Sequence, residues 1–138
     1  MPRLETRGRV RALQALYAWD LRASQPLDRV ALLVWDDLVV APEERAFADA
    51  LLRIISAQGK TLDEELSEVT TNWRIERIGA IERCVLRLAA AELEQGVTPP
   101  RVVLQEAVRL AERFGSEQSA RFVNGVLDAL ARRLGRLR

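Results

Sequence analysis

Four residues near the start of the chain have spacing that could do chemistry. Arg3, Arg7, Arg11 and Gln14 recur at intervals of four, four and three, which places them on one helical face opposite Leu13 and Leu16. A guanidinium is a planar, weakly hydrated fork that meets two phosphate oxygens at once, so such a face suits a polyanion. A second candidate is the stretch FGSEQSARFVNGVLDAL, residues 114–130. It carries Phe114 and Phe122 on either side of a polar turn, with Arg121 beside the second ring. Exposed rings stack on unpaired bases and a neighbouring arginine holds phosphate, the pairing used on single-stranded nucleic acid. Against that, phenylalanine is by default a core residue. Gly125 costs a helix about 1 kcal/mol relative to alanine, so close approach of another helix or of a partner backbone is expected there. Asn124 is placed to cap or bridge another segment.

Other chemistries are excluded by what the chain lacks. It has no histidine, which removes Ser-His-Asp and Cys-His nucleophile arrangements and any His-ligated metal site. No glycine-rich phosphate loop or dinucleotide fingerprint is present. The single cysteine, Cys84 in ERCVLRLAA, falls at the apolar face of a helix and reads as a small buried hydrophobe. One cysteine also excludes an internal disulfide and fits a reducing compartment.

The elements that must position these residues are helices. In 138 residues, 49% hydrophobic, the apolar positions recur near a period of 3.6 and nowhere alternate by two. The spacing predicts helices over 7–23, 27–40, 42–59, 61–71, 75–95, 101–114 and 117–134. Pro26, Pro42, Pro99 and Pro100 mark starts and stops, Gly59, Gly96 and Gly115 mark ends, and Ser116 or Ser119 caps the last helix. Gly8 and Pro2 are expected to fray the first helix. Thr71 or Asn72 is expected to cap the fifth, with Trp73 folded back on it. The fold class expected is all-α, a compact bundle of about seven helices in one domain spanning 1–138.

Net charge is +1, but residues 1–11 sum to +3 and residues 132–138 to +4, leaving −6 for the body between them. Basic ends on an acidic body point to a polyanion at the ends and a different, basic partner elsewhere. The longest apolar runs, VALLVW and LVVA, are too short to span a bilayer. With no signal-like start, a cytoplasmic protein with no membrane contact is expected.

Several stretches together resemble the NusB family of bacterial transcription antitermination factors. They are RGRVRALQALYAWDL, NWRIERIGAIERCVLRLAAAEL, TPPRVVLQEAVRLAERFG and SARFVNGVLDALARR, in that order and spacing. The resemblance implies two packed three-helix halves, no catalysis and no cofactor. It implies recognition of the boxA element of ribosomal RNA leader transcripts together with NusE, a small-subunit ribosomal protein, within an RNA polymerase antitermination complex. On this chain the resemblance assigns phosphate contacts to Arg7 and Arg9 of the arginine-rich start, with Gln14 and Tyr17 nearby. Phe114, Gln118, Arg121 and Phe122 form the second strip, and Glu82 lies on the face of the protein partner. Val10, Gln118 and Glu112 depart from the residues common in the family. Two other expectations stand beside this one: a self-associating helical module forming a homodimer, and the non-catalytic front domain of an RNA cytosine-C5 methyltransferase. The second applies only to a fragment, since nothing follows Arg138 here.

Overall fold

The computed structural model describes residues 3–22, 24–70 and 78–137. The predicted cap at Thr71 or Asn72, the place of Trp73 and the predicted helix start at Ile75 lie outside them. Among the described residues there are six helices and no strand: α1 (Leu4–Leu21), α2 (Leu27–Leu38), α3 (Pro42–Glu68), α4 (Ala80–Gln95), α5 (Pro100–Phe114) and α6 (Glu117–Arg133). None is long and apolar enough to cross a membrane.

The boundaries follow local chemistry. Pro26 and Pro99 occupy the N-cap positions of α2 and α5, and Pro42 and Pro100 stand in first turns, where a missing N–H is no loss. Gly96 ends α4 at φ 71°, a left-handed conformation that favours glycine. The Ser116 side chain caps α6 by accepting a hydrogen bond from the Ser119 N–H.

Two expectations are corrected. At Gly59 the correction concerns the count: the chain leaves helical geometry at Gln58 (φ −125°, ψ 17°), beside the predicted end, but resumes helix at once, so the two predicted helices form one kinked element, α3, and the count falls from seven to six. The second half of α3 still has a core to bury, through Leu62 and Leu66. Gly8 does not fray α1. It is the fifth residue of α1 and is buried, so close to α3 that a Cβ there would meet the Phe47 ring at 2.6 Å. Glycine lets α1 and α3 touch at that point.

The six helices form two sets of three. Within the first, α1, α2 and α3 pack on one another; within the second, α4, α5 and α6 do; α4 joins the halves by lying against both α1 and α3. Their buried side chains make one continuous apolar core, from Leu16, Trp35 and Leu51 through Leu66 and Leu88 to Leu127 and Leu130. Cys84 lies inside it, and burial pushes its thiol up to about 12, so it is a core atom and not a nucleophile.

One polar cluster breaks that core. Arg9 is only 4% exposed, and its guanidinium donates to both oxygens of Glu92 on α4 (Nε 2.9 Å, Nη2 2.6 Å) and to Glu106 on α5 (Nη1 2.9 Å). The Phe47 ring lies 5.3 Å from the guanidinium carbon. Removing one member of such a buried set strands the others, at a cost of about 3–5 kcal/mol. Arg9→Ala is therefore expected to lower the melting temperature by roughly 10–17 °C in calorimetry. Arg7→Ala leaves Glu44 still paired with Arg11, so it costs about 1 kcal/mol. Gly8→Ala is expected to destabilise by about 1–3 kcal/mol through overpacking on Phe47, measured by urea unfolding.

Candidate nucleic-acid interface

With Arg9 turned inward, the other arginines of α1 face outward. Arg3 is exposed at the N-cap. Arg7 and Arg11 sit one turn apart and share a single acid, Glu44: Arg7 Nε donates to Oε2 at 2.9 Å and Arg11 Nε to Oε1 at 3.1 Å. Arg11 also donates to the Gln14 side chain at 3.2 Å. Glu44 is in the first turn of α3, where the helix dipole favours a carboxylate. The hydrogen bond from Arg7, opposed by burial and reinforced by Arg11, holds its carboxyl below the usual range. Two guanidiniums against one carboxylate leave this site with a surplus positive charge. The Arg7 side chain is 42% exposed.

The phosphate contact expected of Arg9 is corrected. Burial opposes its charge, but the hydrogen bond and charge of Glu92 and the charge of Glu106 outweigh that and raise its pKa. A guanidinium committed to two carboxylates in the interior offers nothing to a strand outside.

The second strip lies where α5 ends and α6 begins. Phe114, the last residue of α5, is half-buried against the core, with the Arg113 guanidinium 4.8 Å from its ring centre. Gln118 and Arg121 are exposed on α6, and Phe122 is 38% exposed. Of the two phenylalanines, Phe122 is the more exposed.

Two adjacent residues of α4 bring the far ends of the chain together. Glu82 accepts a hydrogen bond from the Ser119 hydroxyl of α6 at 3.1 Å. Arg83 donates to both oxygens of Asp20 on α1, at 2.9 and 2.6 Å, and to the Ile78 carbonyl at 2.6 Å. Asp20 is three residues beyond Tyr17, which is 40% exposed, and Ser119 is three residues before Phe122. Tyr17 and Phe122 therefore stand at the same end of the bundle. Glu82, expected on a partner face, is beside the α6 strip and half-buried.

Two hollows of mixed charge adjoin these strips. Thr6 and Val10 of α1 meet Glu106, Leu110 and Arg113 of α5 in a crevice of about 190 Å³. Val10 gives that crevice an apolar wall. A larger groove of about 1040 Å³ runs between α5 and α6, with Gln105, Glu112 and Arg121 on its walls. Arg109 borders both hollows.

Sequence reasoning missed Glu44, Glu92, Glu106, Arg109 and Arg113. For Glu92 and Glu106 there was a signal: each interrupts an apolar stripe, in LAAAEL and VLQEAV, and a buried acid needs a buried cation. Arg9 itself stands four before Leu13 and seven before Leu16, the spacing of the buried face. Glu44 had no such mark, since its partnership depends on how α3 crosses α1.

Comparison with known proteins agrees with this architecture. Residues 6–132 match the NusB family. The transcription antitermination protein NusB of Sorangium cellulosum is 44% identical over 131 residues, covering 94% of this chain and 93% of that protein. Its counterpart in Anaeromyxobacter dehalogenans is 42% identical over 127 residues, covering 91% and 89%. Among solved structures, T. maritima NusB superposes with a TM-score of 0.87 at 29% identity, over 96% of this chain and 93% of that one. A NusB in complex with NusE and double-stranded RNA gives 0.87 at 27% identity, over 96% and 99%. A family match from Thr6 to Arg132, with relatives above 40% identity along nearly their whole length, makes this chain a member of the NusB family.

Proposed function

We propose that this chain is a non-catalytic RNA-binding adaptor of transcription antitermination. It recognises the boxA element of ribosomal RNA leader transcripts together with NusE, as part of an antitermination complex on RNA polymerase. The observation that carries the reading is the pair Glu82 and Arg83, which fasten the start of α6 and the end of α1 to one turn of α4. That tie sets Tyr17, near the end of α1, beside the Phe122 strip, while Thr6 and Val10 share a crevice with Arg109 and Arg113 of α5, which brings the arginine-bearing turns of α1 next to the end of α5. The NusB that superposes on this chain was solved with NusE and RNA, which supports the same assignment.

Each part has a role set by its chemistry. Arg3, Arg7 and Arg11 supply sequence-independent attraction to phosphate, and Gln14 extends that face with a neutral donor and acceptor. Tyr17 and Phe122 offer rings for unpaired bases, with Arg121 for the phosphate between them. Phe114, stacked under Arg113 and half-buried, supports that floor more than it contacts a base. The acidic body, −6 between the two basic ends, is a surface to which a basic ribosomal protein is drawn.

A short single-stranded boxA RNA is expected to bind with an affinity that falls with salt at a log–log slope of about −2, for roughly three phosphates engaged. Arg7→Ala with Arg11→Ala should flatten that slope and weaken all RNAs alike. Phe122→Ala should instead reduce the preference for boxA over a scrambled strand. Salt-insensitive or undetectable binding, with NusE present, would refute the proposal.

Glu44→Gln tests the electrostatics of the arginine pair. Removing the shared acid should tighten RNA roughly threefold at low salt. Because the folded carboxyl is depressed, its stabilisation is full above the unfolded value of 4.5 and is lost as pH falls through the lower folded value. The melting temperatures of wild type and Glu44→Gln should thus differ at pH 6 and converge toward pH 3.

A further inference from the structure

Gly125 stands at the middle of α6, eight residues from either end. None of the usual reasons for a glycine applies. Its φ is not positive, since among the described glycines only Gly96 and Gly135 have that feature. Among the described residues it does not admit a neighbouring helix, because a Cβ built there meets nothing of theirs within 4 Å. None of the described elements makes the close approach expected from the sequence. The contrast is Gly8, where the same atom collides with Phe47.

What surrounds the bare position is the RNA strip. Gly125 lies four residues after Arg121 and three after Phe122, so the three share one exposed face of the helix, with Gln118 a turn earlier. Cα–Cβ bonds tilt toward the helix N-terminus, so a methyl at 125 would stand over the turn that carries Arg121 and Phe122. Leaving it out opens a shallow saddle of helix backbone, with a guanidinium on one flank and a ring on the other. A flexible chain laid in that saddle puts phosphate within reach of Arg121 while its base covers Phe122.

We propose that Gly125 is the seat of the RNA backbone on α6: its missing side chain lets one sugar–phosphate unit lie directly on the helix between Arg121 and Phe122. This rests on the RNA-binding reading above and adds a positioning residue that makes its contribution through the absence of atoms.

The proposal sets stability and binding in opposition, and that makes it testable. In the full-length protein, Gly125→Ala should raise the melting temperature by about 3 °C, as alanine replaces glycine in an exposed helix. It should also weaken a short single-stranded boxA RNA about five- to tenfold. Gly125→Leu should weaken it further while the protein stays folded by circular dichroism. Asn124→Ala, on the groove side of α6, serves as the control and should leave RNA affinity within twofold. Unchanged RNA affinity in both Gly125 variants, with wild type binding normally, overturns the proposal and leaves the RNA reading intact. Unchanged RNA affinity with weakened NusE binding overturns it too, and assigns the saddle to a protein. Failure of wild type itself to bind RNA overturns both.

Discussion

The structure depends on one buried cation. Arg9 carries a full charge into an apolar core, and only the two oxygens of Glu92 and one of Glu106 make that tolerable. A buried triad of this kind gives little net stability over a well-packed apolar set, but it is costly to mismatch. Its consequence is rotational. Arg7 and Arg11 stand two residues to either side, which is about 200° around a helix, so pinning Arg9 inward forces both outward. The same contacts tie α1 to α4 and α5 of the C-terminal half. One residue that never meets a ligand thus decides which of its neighbours can.

The outer surface follows from that constraint by a series of shared partners. Glu44 holds Arg7 and Arg11 at a common carboxylate, which limits the entropy these long side chains lose on meeting phosphate and keeps a surplus positive charge. Asp20 receives Arg83 and also lies 3.6 Å from Arg87, which reaches on to Asp63 of α3. Glu82, next in sequence to Arg83, receives α6. The chain's distant ends are therefore placed by α4, a helix with no exposed ring or arginine stripe of its own. At the other end of α6, Arg132 and Arg133 pair with Asp128 and Glu68, so much of the C-terminal charge is spent locally. The positive end that remains for a polyanion is that of α1.

Much of this was legible in the sequence, and the misses have physical causes. Helix period, proline starts and the Gly96 and Ser116 caps are local properties, and the chain states them directly. Gly59 marked a real break, the kink at Gln58, but not the number of elements, because Leu62 and Leu66 carry the chain straight into a second helical run. Arg9 misled because arginine is almost always a surface residue. Its position on the Leu13–Leu16 stripe was the better guide, but the acids that receive it lie 83 and 97 residues away. Gly125 stood out in the sequence as costly to a helix, but whether a neighbour fills the space beside it depends on what stands within a few ångströms, which is a tertiary property. The convergence of α1 and α6 on Glu82 and Arg83 is likewise tertiary, and only the family resemblance pointed to it.

The central claim is that α1 and α6 address one strand at once. It is tested most directly by titrating isotopically labelled protein with a single short boxA RNA and following backbone amide resonances. The account predicts that amides around Arg7, Arg11 and Tyr17 shift together with those from Gln118 to Gly125, at one shared dissociation constant, while the outer face of α2 stays still. Shifts confined to one of the two helices, or two sets titrating with different constants, would contradict it.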